Sequence, residues 1–172
     1  MAVDTLDNLL VQELKDLYSA ENQITRALPK LIKASSSEDL RSAFENHLKE
    51  TEGHVKRLEE IFQILGSSPR GKTCNGMKGV LEEGAEVLEE IEEGNVRDAA
   101  LISAAQRVEH YEMAGYGTVR AFAERLGQTE ISQLLEETLE EEKAADAKLT
   151  AISEKINSEV QQNGTAAHHT AR

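Results

Sequence analysis

The sequence predicts an all-α protein, a bundle of four long helices arranged as two antiparallel hairpins. Three observations carry this. Glu, Ala and Leu abound, proline appears only twice and tryptophan is absent, a composition that favours helices over strands. Apolar residues recur at intervals of three and four through four long stretches, the period of an amphipathic helix. Short polar turns join these stretches in pairs, with one longer connection between the pairs. At 172 residues the chain reads as one domain with enough surface to bury for a self-sufficient core.

The first helix is expected from Thr5 to about Ala34, where Leu10, Leu14, Leu17, Ile24, Leu28 and Leu31 form one stripe. Asp4 or Thr5 can cap it. Glu21 falls in the gap of the stripe, between Leu17 and Ile24. Pro29 has no N–H to give and should kink the helix near its end. Ser35-Ser36-Ser37 turns the chain, and Ser36 with Asp39 resembles a capping box. The second helix, about Glu38 to Leu65, faces Leu40, Ala43, Leu58, Ile61 and Leu65 inward. The middle of that stripe passes through His47, Glu50 and His54. Gly66-Ser67-Ser68-Pro69-Arg70-Gly71 ends it in a loop that continues to Asn75-Gly76. Cys74 lies in this loop as the sole cysteine, which excludes an intramolecular disulfide and a Cys-based zinc site. The position suits an exposed thiol, with nothing beside it to mark a nucleophile.

A shorter helix follows from about Gly76 to Glu93, with Val80, Leu81, Ala85, Leu88 and Ile91 apolar. Gly94-Asn95 breaks it, and Asn95 can cap a third long helix reaching about Leu126. The stripe of that helix is Ala99, Ile102, Gln106, Glu109, Met113 and Tyr116, and Gly127 is placed to end it. The fourth long helix, about Glu130 to Glu159, runs through Ile131, Leu135, Leu139, Leu149 and Ile156, with Glu142 and Asp146 in the gap. Residues 1–160 thus form the domain, and 161–172, without periodicity, are expected to be a disordered tail. Two hairpins with one long crossover are the ferritin-like variant of the four-helix bundle.

Charge narrows the function. The net charge of -13, from 32 acidic and 19 basic residues, argues against nucleic acid as a partner, because phosphate contact needs a basic face. No run approaches the roughly 18 apolar residues of a membrane span. The first residues lack the basic and apolar regions of a signal peptide, so a cytoplasmic location is expected. No phosphate loop, nucleotide fingerprint or nucleophile triad occurs.

The chemistry-bearing pattern is the set of inward carboxylates. A carboxylate inside an apolar stripe is costly unless a charge meets it there, yet each long helix carries at least one. Counted from the turn near Ser36, Glu21 lies about fifteen residues before and Glu50 about fourteen after. Counted from Gln128, Glu112 lies about sixteen before and Glu142 about fourteen after. At about 1.5 Å per residue the members of each pair are nearly level. Glu109 and Asp146 are level about one turn further along. Such a group cannot stay ionised without a counter-charge, and Lys and Arg are scarce on these stripes. A pair of metal ions satisfies it, since hard oxygen ligands with one or two imidazoles suit iron or manganese. The candidate ligands are Glu21, Glu50, His54, Glu109, Glu112, Glu142 and Asp146, with Glu141 on a neighbouring track as the alternative to Glu142. His47 is expected in a supporting or core role, and His110 lies off the stripe. Tyr18 and Tyr116 are placed to donate hydrogen bonds to ligating carboxylates.

Four blocks carry a resemblance: Tyr18-Ser19-Ala20-Glu21-Asn22-Gln23, His47-Leu48-Lys49-Glu50-Thr51, Glu109-His110-Tyr111-Glu112 with Ala114-Gly115-Tyr116-Gly117-Thr118, and Thr138-Leu139-Glu140-Glu141-Glu142-Lys143. Over about residues 4–157 the chain resembles the YciE/YciF family of bacterial stress-associated proteins, of the ferritin-like superfamily. The resemblance implies a dinuclear metal centre in a cytoplasmic homodimer linked to general stress. An activity that consumes a small oxidant such as peroxide or oxidises Fe²⁺ follows as the expectation. Glu50 and Glu142 are then expected to bridge the metals, with Glu21, Glu109 and His54 completing the shells. One departure stands out. Ferritins and rubrerythrins use Glu-x-x-His, but position 51 here is Thr51, leaving Glu50 and His54 at i and i+4. Glu109 and Glu112 resemble the paired glutamates of rubrerythrins. The rival expectation is a non-enzymatic helical stress protein, and metal content separates the two.

Overall fold

The computed structural model describes residues 3–169, with side chains described through Gln162. Among these residues five helices and no strand occur: α1 (Leu6–Ala34), α2 (Glu38–Ile64), α3 (Asn75–Glu90), α4 (Asn95–Arg125) and α5 (Thr129–His169). α1 packs along α2 and α4 along α5, each pair joined by a short turn. The connection between the hairpins carries α3, which packs on α4 and α1. This is the ferritin-like four-helix bundle that the stripes predict.

The helix ends explain where each element stops. Thr5 caps α1, its side chain accepting from the Asn8 N–H at 3.2 Å. α2 and α4 end alike. Gly66 and Gly127 adopt φ of 60° and 72°, and the N–H groups of Ser67 and Gln128 reach back to the carbonyls of Phe62 and Ala123. Both are Schellman closures, in which glycine avoids the strain that a Cβ would bring. Asp98, buried on α4, accepts from the Ser36 and Ser37 N–H groups at 2.9 and 2.7 Å. One hairpin's turn is thereby fastened to the other hairpin.

Several local expectations change. The N-cap of α2 is Ser37, not Ser36: it is the Ser37 hydroxyl that accepts from the Leu40 N–H, at 3.4 Å. Gly94, not Asn95, occupies the N-cap of α4, and the Asn95 amide donates to Glu159 instead. α1 continues as helix through Pro29 to Ala34. α3 ends at Glu90, short of Glu93. α5 runs past Val160 to His169, into the segment expected to form a tail, and residues 170–172 lie outside the described residues. Cys74 is a fully buried thiol that caps α3, accepting from Met77 N–H at 3.3 Å. It also meets the Tyr111 hydroxyl at 3.0 Å. Burial raises its pKa, which keeps the thiolate, the nucleophilic form, scarce.

The apolar core is divided in two. One cluster, at the end holding the α1–α2 turn, includes Ile24, Leu28, Leu40, Phe44, Leu101, Leu149 and Ile156. The other, at the end holding the α4–α5 turn, includes Leu10, Leu14, Leu58, Ile61, Phe62, Val119 and Leu135. Burying each Leu, Ile or Phe fully stabilises the fold by about 1.5–3 kcal/mol. Gly115 lets α1 and α4 approach between them, since a Cβ there would meet Leu17 Cδ2 at 2.7 Å. Between the two apolar clusters lies a layer of acids and histidines.

Candidate metal centre

All four long helices contribute to this layer. α1 supplies Glu21, α2 supplies His47, Thr51 and His54, α4 supplies Glu109 and Glu112, and α5 supplies Glu142, each under a tenth exposed. The metal-ligating types among them form two groups. His47, Glu109, Glu112 and Glu142 each offer one atom within 4.8 Å of the others'. Glu21, His54 and Glu142 do the same. Glu142 belongs to both.

In the second group His54 Nδ1 lies 3.0 Å from Glu142 Oε1 and 3.4 Å from Glu21 Oε1. Glu21 also accepts from the buried Tyr116 hydroxyl, whose ring stands edge-on to His54. On the outer side His54 Nε2 meets Glu141 Oε2 at 2.9 Å. Arg57 holds that carboxylate at 2.8 and 3.3 Å and also donates to Thr138. In the first group His47 Nε2 lies 3.3 Å from Glu109 Oε1, outside hydrogen-bond geometry. Thr51 donates to the His47 carbonyl at 2.8 Å and adds no acid to the layer.

Burial and mutual repulsion set the protonation pattern. Burial pushes Glu109 and Glu112 well above the ordinary carboxylate value, and the nearby Glu142 and Glu21 charges push the same way. Glu21 is also raised by burial, against the pull of His54. Burial alone would lower His54, but the Glu142 and Glu21 carboxylates outweigh it and raise the imidazole from 6.5 to about 10. The same contact outweighs the cost of burial at Glu142, which is lowered.

Many of these atoms have no hydrogen-bond partner. Both oxygens of Glu112 and Glu142, one each of Glu21 and Glu109, both His47 nitrogens and His54 Nδ1 are buried and unpartnered. Buried polar atoms are normally paired, so a cluster of lone acceptors pointing at one another fits a cation between them. The donor set, carboxylate oxygens with two imidazoles, suits iron or manganese.

Of the sequence candidates, the structure brings together Glu21, His54, Glu109, Glu112 and Glu142. It does not bring in Glu50, and the expected inward track is corrected. The Glu50 side chain is 46% exposed, because α2 turns Thr51 inward in its place. The bridging geometry expected of Glu50 is therefore absent, whereas Glu142 is shared by both groups. Asp146 also lies outside both groups, accepting from Gln106 at 3.0 Å and facing the exposed His110. Glu141 points outward to Arg57, leaving Glu142 as the inward residue of that pair. Tyr116 donates to a carboxylate of the layer, though to Glu21 across the bundle and not to Glu109 on its own helix, and Tyr18 turns away to Glu59 at 2.9 Å. His47, expected in a supporting role, stands inside the first group. Its spacing of seven from His54, two helical turns, is the signal that places it on the same face.

Among the described residues no helix is long and apolar enough to cross a membrane. Comparison with known proteins agrees with the geometry. A family described as a domain of unknown function (DUF892) matches residues 5–162. Protein YciF of Escherichia coli (strain K12) is 47% identical over 154 residues, spanning 89% of this chain and 93% of YciF. The crystal structure of that stress protein superposes with a TM-score of 0.88 at 46% identity, over 91% of this chain and 99% of that one. YcfI of Rhodopseudomonas palustris, whose description offers a structural role, gives a TM-score of 0.84 at 43% identity, over 87% and 97% of the two chains. A ferritin-like, diiron-carboxylate protein of Bacillus anthracis str. Ames shares the fold, with a TM-score of 0.68 at 17% identity over 89% and 99%. The matched family spans nearly the whole bundle, and the chain belongs to it: the family of YciF, with the ferritin-like fold.

Proposed function

We propose that the buried layer holds a dinuclear metal centre, iron or manganese, and that the protein uses it in stressed cells to consume a small oxidant such as peroxide or to oxidise Fe²⁺. The observation that carries this reading is the set of unpartnered acceptor atoms on six buried residues from four helices. Glu21 and His54 would hold one ion, His47, Glu109 and Glu112 the other, with Glu142 between them. Such a pair would supply two electrons to an oxidant, which the carboxylates and imidazoles around it cannot do.

The chain's own residues set the conditions. The apolar clusters above and below close the two ends of the layer. Tyr116 keeps a proton on its hydroxyl, since burial and the Glu21 charge raise it far above its usual range, and that proton orients Glu21. Glu141, fixed by Arg57, takes the Nε2 side of His54 and leaves Nδ1 facing inward. An outer carboxylate of this kind orients a ligating imidazole. A cytoplasmic homodimer belongs to the same reading, on the strength of the family resemblance.

One observation favours a second reading, a metal-free helical scaffold. His54, raised to about 10, can serve as the counter-charge for Glu142, with Glu21 raised by burial, without any ion. Elemental analysis separates the two, on protein purified without chelator or affinity tag. About two iron or manganese ions per chain are expected, lost in a Glu21→Ala/Glu142→Ala variant. No metal in the wild type, even after anaerobic Fe²⁺ addition, overturns the metal-centre reading in favour of the scaffold.

A further inference from the structure

Glu50 is exposed, yet it stands at the edge of a small cavity between α2 and α5 that leads to the buried layer. The cavity measures about 100 Å³, room for about three waters at roughly 30 Å³ each. Ala144 and Ala145 leave the space open on the α5 side, and Lys148 shares the mouth with Glu50. His47 and Glu109 form the floor, and both are more than nine-tenths buried.

Potential ligand atoms line this path in succession. Glu50 Oε2 lies 3.7 Å from His47 Nδ1, and His47 Nε2 lies 3.3 Å from Glu109 Oε1. Neither nitrogen of His47 has a hydrogen-bond partner, so the unprotonated nitrogen of the neutral ring is free to take a cation. The His54 side of the layer is different. There Arg57, bonded to Thr138 and Glu141, covers the ring. That guanidinium, held between Glu141 and Glu137, closes the outer side of the ring.

We propose that this cavity is the passage by which a hydrated divalent cation reaches the buried layer, with Glu50 as its first ligand and His47 as the relay to Glu109. The inference rests on the metal-centre reading and adds a route to it. Glu50 exchanges for one of the ion's waters at the mouth, and His47 and Glu109 replace further waters as the ion moves inward. Lys148 works against Glu50, lowering the local attraction for cations and slowing uptake.

The test follows Co²⁺ uptake by the metal-free full-length protein in a stopped-flow spectrometer at low ionic strength. Glu50→Gln is expected to slow loading about tenfold and Lys148→Glu to speed it several-fold, as local charge acts on association rates. Final Co²⁺ stoichiometry should be the same in all three proteins, and both rate differences should shrink with added salt. Loading rates within about twofold of wild type in both variants overturn the passage. So does loss of final stoichiometry in Glu50→Gln, which makes Glu50 a resident ligand. If the wild type takes up no Co²⁺ at any time, the metal-centre reading itself has failed, a result distinct from unchanged rates.

Discussion

On one side of Glu142, His54 Nδ1 faces two carboxylates that raise the imidazole to about 10, and its positive charge offsets Glu142, which is lowered, while burial raises Glu21. On the other side Glu109 and Glu112 face Glu142 with only His47 nearby, and their carboxyl groups are driven toward the neutral form. The two halves use the same residue types and share one glutamate, yet only the first is charge-balanced by the chain itself. The difference traces to partners. His54 has acids on both ring nitrogens, while His47 has one buried acid at 3.3 Å and one exposed acid at 3.7 Å. A bundle can therefore keep a polar layer folded without metal in one half, while the other half depends on protons or a cation.

The sharpest way to break this contrast is to remove each histidine in turn from metal-free protein. His54→Ala leaves Glu21 and Glu142 buried without their counter-charge, and breaking a buried pair in this way costs about 3–5 kcal/mol. His47→Ala removes a ring that balances less, and a loss of about 1–2 kcal/mol from the vacated space is expected. Urea unfolding of both variants gives the comparison. Equal losses would mean that His54 acts by packing and not by charge.

Next in size is the pH dependence of the metal-free protein. A group whose pKa is raised by folding stabilises below its unfolded value and loses that contribution as pH rises through the folded value. His54 follows this rule between 6.5 and about 10. Glu109 and Glu112 do so from their ordinary 4.5 upward. Glu142, which is lowered, acts in the opposite sense only as pH falls below 4.5. Unfolding measured from pH 5 to pH 10 should thus show a steady loss of stability. Glu112→Gln, which mimics the neutral carboxyl, should be near neutral at pH 5. At pH 9 it should be stabilising by about 1–2 kcal/mol, the cost of a charge it no longer has to bury. A variant that is destabilised at both pH values would show that Glu112 has a partner the contrast omits.

The same two halves differ in how far the sequence revealed them. Glu21, Glu109 and Glu142 each interrupt an apolar stripe, a local property that 3.6-residue periodicity reports, and Glu112 follows from its spacing of three from Glu109 and its level with Glu142. α2 was harder. Three residues before His54 is Thr51 and four before is Glu50; these lie about 60° and 40° to either side of its axis line. Helical spacing alone cannot choose between such flanking tracks. The packing of α2 against α1 and α5 chooses, and it is Thr51 that is buried. Asp146, one turn from Glu142, failed for another reason: Gln106 across the α4–α5 interface takes it as an acceptor. The protonation pattern was out of reach for the same cause, since it depends on contacts between helices. The charge contrast between His47 and His54 exists only once four helices meet.

The smallest expected effect tests whether the balance in the His54 half is made inside the bundle or at its surface. Arg57 reaches Glu141 at 2.8 Å and holds the carboxylate against His54 Nε2. The Glu141 side chain is 40% exposed, so solvent screens the pair, and exposed ion pairs are worth about 1 kcal/mol or less. Arg57→Met keeps much of the aliphatic stem and removes the guanidinium, so a stability loss of no more than about 1 kcal/mol is expected in metal-free protein. The alkaline loss of stability should persist, because Glu21 and Glu142 still flank Nδ1. A loss matching that of His54→Ala would move the seat of compensation outward, to the Arg57–Glu141–His54 chain. With a small loss and an unchanged pH profile, the two inner carboxylates are what hold the proton on His54. The guanidinium is then left to orient Glu141 and cover the ring.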